Sequence, residues 1–172
     1  MTTLDLKKYI RTVPNFPNQG ILFYDIATLI ANPTAWNYAI KQLADIIKPM
    51  NIDFLVSLES RGFILASALS VVLNKGLVMV RKPNKLPGSV VSYSYNLEYG
   101  KDSFEIQTDI LPAESKVVIV DDVLATSGSI NAAYELLKQL KITPVAATVL
   151  IEISELQGKQ KLSIPVKSLL VY

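Results

Sequence analysis

Short β-branched runs alternate with helical repeats along this chain. Residues 117–120 (V-V-I-V) have the composition of a strand buried on both faces, and residues 53–58, 77–80, 144–151 and 166–171 read as further strands. Between these runs the apolar period changes. Asn32-Pro33-Thr34 opens a helix with apolar positions at Trp36, Ala39, Ile40, Leu43 and Ile47, closed by Pro49. A second, strongly apolar helix follows Gly62 and runs to about Leu73; a third carries Ala132, Ala133, Leu136, Leu137 and Leu140. This order of strands and helices predicts an α/β fold with a mainly parallel central sheet and right-handed crossovers. At 172 residues the chain is expected to form a single domain, 1–172.

Two segments break the pattern. Residues 14–20 (P-N-F-P-N-Q-G) suit neither a regular helix nor a central strand. Residues 83–105 are rich in Pro, Gly, Ser and Tyr, and so long an irregular stretch in a compact domain reads as a functional lid. The alternation around residues 91–95 predicts that part of it is a two-stranded ribbon. Residues 62–80 have the length of a membrane span, but Asn74-Lys75-Gly76 reads as a helix stop before a new strand. The opening M-T-T-L-D-L-K-K-Y-I lacks the apolar centre of a secretory signal, so a cytoplasmic protein with no membrane partner is expected.

Composition narrows the chemistry. The chain has no cysteine and no histidine. That excludes disulfides, thiolate catalysis, zinc–thiolate sites, a histidine base and imidazole metal ligands. Carboxylates, lysine, tyrosine and oxygen-bound metals such as magnesium remain. A net charge of +2 gives no argument for a nucleic-acid partner.

Polar groups cluster where strands end. Asp121 and Asp122 follow the run at 117–120; then come Ala125, Thr126, Ser127, Gly128 and Ser129, and the third helix. Such a loop can aim backbone N–H groups, hydroxyls and a helix dipole at a phosphate, while the acids accept hydrogen bonds from ribose hydroxyls. Acidic pairs and Ser/Thr/Gly turns also serve as ordinary caps. Glu59-Ser60-Arg61-Gly62 follows one strand, and Arg81-Lys82-Pro83-Asn84-Lys85 another. Alone, these read as a capped helix start and a solvated basic edge. Ligands of parallel α/β sheets bind beyond the strand C-termini, so the three clusters should converge on one rim.

The string V-V-I-V-D-D-V-L-A-T-S-G-S resembles the signature of phosphoribosyltransferases that use phosphoribosyl pyrophosphate (PRPP), with Ser127 where glycine is commoner and Ser129 where threonine is usual. L-E-S-R-G-F at 58–63 resembles the pyrophosphate loop of the purine enzymes. R-K-P-N-K-L-P-G at 81–88, S-Y-N-L-E-Y-G at 94–100 and F-P-N-Q-G-I-L-F-Y-D-I at 16–26 resemble segments of the adenine phosphoribosyltransferases. Gln19 and Tyr24 depart from the proline and arginine common in the last of these.

The resemblance implies a type I phosphoribosyltransferase fold, with residues 1–30 contributing to a hood over the base and 83–105 forming a flexible catalytic lid. It implies that Asp121 and Asp122 hold the ribose hydroxyls near the developing charge, and that Ala125, Thr126, Ser127, Gly128 and Ser129 cradle the 5′-phosphate. Glu59, Ser60, Arg61 and Gly62, with Arg81, Lys82 and Lys85, are implied at the pyrophosphate, a cis peptide joining Glu59 to Ser60. Ile21, Phe23, Tyr24, Asp25 and Leu124 are implied around adenine. Glu98 is implied in proton handling at the base, and Tyr95 in closing the lid. Mg2+ held mainly by substrate, and a homodimer whose basic residues in 81–85 reach the partner's site, complete the expectation. The activity implied is adenine and PRPP to AMP and pyrophosphate, in purine salvage. A transferase for another nucleobase and a non-catalytic PRPP sensor are the alternatives; the hood and lid strings and Glu98 speak against them.

Overall fold

The computed structural model describes residues 4–97 and 100–172. The chain forms two compact units, Met1–Gln42 and Leu43–Tyr172. In the first, β1 (Arg11–Pro14) and β2 (Leu22–Asp25) form an antiparallel hairpin in register from Arg11 opposite Asp25 to Pro14 opposite Leu22. Residues 15–21 supply its turn, Pro14 itself being the last residue of β1: Asn15 and Gly20 take positive φ, the Asn15 side chain accepts the Gly20 N–H at 2.9 Å, and the bond before Pro17 is cis. A short helix α1 (Ala27–Ile30) follows. Helix α2 (Pro33–Ile47) starts where expected, because the Asn32 side chain accepts the Ala35 N–H at 3.0 Å and leaves Pro33 at the first helical position. Its repeat buries Ala39, Ile40, Leu43 and Ile47.

The second unit contains β3 (Phe54–Leu58), α3 (Arg61–Leu73), β4 (Gly76–Val80), β5 (Val90–Leu97), β6 (Gly100–Gln107), β7 (Lys116–Leu124), α4 (Gly128–Gln139), β8 (Thr143–Glu152) and β9 (Val166–Val171). Five of these strands make a parallel sheet in the order β4-β3-β7-β8-β9. Residues 117–120 of β7 lie at its centre and are almost wholly buried. Asn74 takes φ +51 and stops α3, so the apolar stretch at 62–80 divides into a helix and an edge strand. Among the described residues no helix is long and apolar enough to cross a membrane.

Two boundaries differ from the sequence reading. β7 does not stop at Val120. It runs on to Leu124, because β8 continues beside it and supplies partners for Asp121, Val123 and Leu124. The acidic pair therefore belongs to the strand and not to the loop. The ribbon is also longer than expected: β5 and β6 pair from Val90 opposite Gln107 to Leu97 opposite Gly100. Its base is anchored, since Phe104 and Ile106 are core residues with Val91, Tyr93 and Tyr95 packed against the same cluster.

Candidate active site

The three polar clusters meet. At the end of β7 the two acids stay in contact, and the Asp122 N–H donates to Asp121 Oδ1 at 2.9 Å. Asp121, with Val123, Leu124 and residues 125–130, lines a cavity of about 70 Å³. Asp122 meets the start of α3, where its Oδ2 lies 2.7 Å from Arg61 Nε. Burial pushes the Asp121 carboxyl well above the ordinary carboxylate range, and the adjacent Asp122 charge pushes it further. Burial also raises Asp122, with the Arg61 guanidinium opposing the shift.

The loop after β7 leaves a helix end open. Ser127 precedes α4 with φ +80, and its side chain makes no capping bond to the first turn. The N–H groups of that turn are thus not taken up by the residue that would ordinarily cap them. They adjoin the cavity whose lining includes Asp121. Thr126, Ser127 and Ser129 all lie in the cavity lining.

The loop after β3 presses on the same rim. The peptide between Glu59 and Ser60 is cis, as the family resemblance implied. A Cβ on Gly62 would lie 3.0 Å from the Val120 carbonyl oxygen, 3.1 Å from Asp121 Oδ1 and 3.1 Å from Ser57 Oγ, so any side chain there would push α3 and the end of β7 apart by a few tenths of an ångström. The Glu59 carboxylate accepts Arg81 Nε at 3.2 Å, Arg81 Nη2 at 3.3 Å and the Lys82 N–H at 2.8 Å. Burial raises its pKa, but these bonds outweigh it and hold the carboxyl below its ordinary range. Arg81 also donates Nη1 to the Lys85 carbonyl at 3.2 Å, which folds the basic segment back toward the β3 loop.

The ribbon reaches this rim through Tyr95. Its ring lies 3.7 Å from where a Cβ on Gly128 would be, and its hydroxyl donates to Asp102 at 3.1 Å. Burial and the Asp102 charge raise the phenol pKa, while a hydrogen bond with the Ser129 side chain opposes the shift. Asp102 also pairs with Lys82, whose ammonium lies 4.6 Å from the Phe104 ring centroid.

The structure thus gathers Glu59, Ser60, Arg61, Gly62, Arg81, Lys82, Tyr95, Asp121, Asp122 and residues 124–129 in one unit. Lys85 contributes its carbonyl, with its side chain exposed. Glu98 lies outside the described residues. The residues implied around adenine divide between the units. Leu124 is buried beside the cavity, whereas Ile21, Phe23, Tyr24 and Asp25 stand on or beside β2 in the first unit. There Phe23 packs edge-on to Phe16 at 5.0 Å, and Asp25 accepts Arg11 Nε at 3.0 Å and the Ala27 N–H at 2.9 Å.

Sequence reasoning passed over Asp102, Asn131 and Gly158. Asp102 has no motif of its own. Asn131 stands four residues after Ser127 at the start of a helix, a spacing that brings side chains together. Gly158 is an isolated glycine of the kind that marks close backbone approach.

A parallel sheet whose central strand ends in an acidic pair, followed by a helix whose N-cap side chain makes no capping bond, places the chain among α/β proteins with a site at the strand C-termini. The chain belongs to the phosphoribosyl transferase family, whose domain matches residues 28–170, and within it to the adenine phosphoribosyltransferases. The adenine phosphoribosyltransferase of Gluconobacter oxydans is 47% identical over 169 residues, 98% of this chain and 94% of that protein. The crystal structure of the Thermoanaerobacter pseudethanolicus enzyme superimposes with a TM-score of 0.95 at 40% identity, covering 97% of this chain and 98% of that one. The Saccharomyces cerevisiae enzyme, solved with adenine and an imino-altritol bisphosphate, gives 0.90 at 42% identity, covering 95% and 96%.

Proposed function

We propose that this chain transfers the 5-phosphoribosyl group of PRPP to adenine, releasing pyrophosphate and forming AMP in purine salvage. The observation that carries the reading is the uncapped start of α4 beside Asp121, tied through Asp122 and Arg61 to the loop after β3. In the reaction the anomeric C–O bond to pyrophosphate breaks, a C–N bond to the base forms, and the base gives up one proton. The transition state is oxocarbenium-like and asks for positioned charge more than for a strong base, so a chain without histidine is equipped for it.

Residues 125–129 receive the 5′-phosphate, and Asp121 faces the ribose. Arg61 and Lys82 supply positive charge for the pyrophosphate, with Arg81 fixed by Glu59 behind them. Glu98 handles the proton at the base and the ribbon excludes water. Glu98→Gln is expected to lower turnover by on the order of a hundredfold. Unchanged turnover would remove it from the mechanism.

Magnesium fits as a companion of the substrate. Among the described residues no group of three or more acidic side chains could hold a metal ion. A magnesium ion arriving on the pyrophosphate and hydroxyl oxygens of the substrate would neutralise the departing charge.

The active form is a cytoplasmic homodimer. Supporting it, α3 is apolar around much of its circumference and leaves Ile64, Val71 and Val72 exposed, with Met79 exposed on the edge strand β4. Mixing Lys82→Ala chains with Asp121→Asn chains should restore activity if the basic segment reaches the partner's site; no recovery in mixed dimers would reject that crossing.

The assay for the reaction follows AMP and pyrophosphate from adenine, PRPP and magnesium. Equal, simultaneous release of both products supports the proposal; PRPP consumption without AMP would overturn it.

A further inference from the structure

Three contacts bind the phosphate loop to a segment far along the chain, residues 153–162, which passes through two 3₁₀ turns, Ser154–Leu156 and Gly158–Lys161. The Ile153 N–H donates to the Leu124 carbonyl at 2.9 Å, where the loop leaves β7. Gly158 lies directly on Ala125: a Cβ there would sit 2.0 Å from the Ala125 carbonyl oxygen, well inside any real contact. The third contact runs through one side chain. Asn131 Nδ2 donates to Ser127 Oγ at 3.3 Å and to the Lys161 carbonyl at 3.4 Å, while the Asn131 N–H donates to the Ser127 carbonyl at 2.9 Å.

Ser127 is the one residue of this loop whose backbone is left-handed, at φ +80. A glycine would adopt that conformation without steric cost, whereas serine needs an interaction to hold it there. Its side chain is buried and accepts the Asn131 Nδ2 hydrogen bond. We propose that Asn131 is a positioning residue for PRPP binding. By bridging Ser127 to the backbone of residues 153–162, it keeps the phosphate loop in its left-handed turn and does for serine what intrinsic freedom does for glycine. Residues 153–162 are then the buttress against which the 5′-phosphate cradle is set.

The inference rests on the proposed PRPP-dependent reaction and is tested by comparing Asn131→Ala in two backgrounds, wild type and Ser127→Gly. In the wild-type background, Asn131→Ala should raise the KM for PRPP about tenfold and change the KM for adenine and kcat by no more than about twofold. In the Ser127→Gly background the same change should raise the PRPP KM by no more than about twofold. Hydrogen exchange of the free proteins provides a second readout that needs no turnover. Amides of residues 125–130 should exchange faster in Asn131→Ala than in the parent, and this acceleration should shrink in the Ser127→Gly background. An equal penalty in both backgrounds, or a penalty spread over adenine KM and kcat, would show Asn131 to be an ordinary packing residue and overturn the assignment. If the wild-type protein formed no AMP, the functional reading would fall while the exchange comparison still decided the role of Asn131.

Discussion

Arg61 Nε stands 2.7 Å from Asp122 Oδ2, joining the start of α3 to the acidic end of β7. Asp122 is nearly buried, whereas Arg61 is about a third exposed; their side chains are 8% and 35% accessible. Removing the arginine would therefore leave a desolvated carboxylate behind. Arg61→Ala is expected to cost about 1–3 kcal/mol of stability at pH 8. Because the penalty arises from the ionised form of Asp122, it should shrink at acid pH, where the carboxyl is protonated. Urea denaturation of both proteins at two pH values checks this; a pH-independent penalty would mean that packing, not charge, is lost.

Asp121 carries the opposite lesson. Its carboxyl titrates well above the usual range because it is buried, and Asp122 adds like charge. The folded state therefore binds this proton more tightly than the unfolded state, and stability falls as pH rises from the unfolded value through the raised one. Asp121→Asn removes a charge that costs stability. Its unfolding temperature should exceed that of the wild type at pH 8, by about 2–4 °C for each kcal/mol relieved, and converge on it at low pH. AMP formation by the same variant should collapse. A destabilised variant at pH 8 would contradict the electrostatic account.

At Gly62 the prediction is steric. A methyl group would meet the Val120 carbonyl, Asp121 Oδ1 and Ser57 Oγ at 3.0–3.1 Å, two of them strand or acid groups that cannot yield without moving the site. Gly62→Ala should cost about 1–3 kcal/mol and lower turnover as well, since Asp121 is among the atoms displaced. Stability and kcat measured on one preparation would test both; wild-type turnover would show that the close approach is dispensable.

Lys82 and Asp102 link the basic segment to the ribbon across a partly exposed interface, with 37% and 26% of the side chains accessible. A double-mutant cycle should give a coupling of no more than about 1 kcal/mol in low salt, fading in high salt. A larger, salt-insensitive coupling would mean that Tyr95 and Phe104 bury the pair more deeply than its exposure indicates.

Much of this architecture is legible in the sequence because the signals are local. The β-branched residues 117–120 mark the central strand, Asn32 and Pro33 mark the start of α2, and Asn74 marks the end of α3. The family strings bring Glu59, Arg61, Asp121 and residues 125–129 to one rim. What escapes the sequence is set by partners distant in the chain. β7 outlasts its apolar run because β8 keeps pairing with it, and the β1–β2 hairpin is hidden by the brevity of R-T-V-P and its closing proline. Likewise, nothing local indicates that Asp121 lines the cavity while Asp122 meets Arg61, or that Asn131 and Gly158 brace Ser127 and Ala125 from one helix turn and one remote loop.

The central claim is tested most directly by competition. The protein, PRPP and magnesium would meet equal concentrations of adenine, hypoxanthine, guanine and uracil, with the nucleotides formed identified by mass spectrometry. AMP as the dominant product, released with pyrophosphate, is the predicted result. IMP, GMP or UMP in its place would contradict the adenine assignment, and no nucleotide at all, with PRPP still bound, would make the chain a sensor.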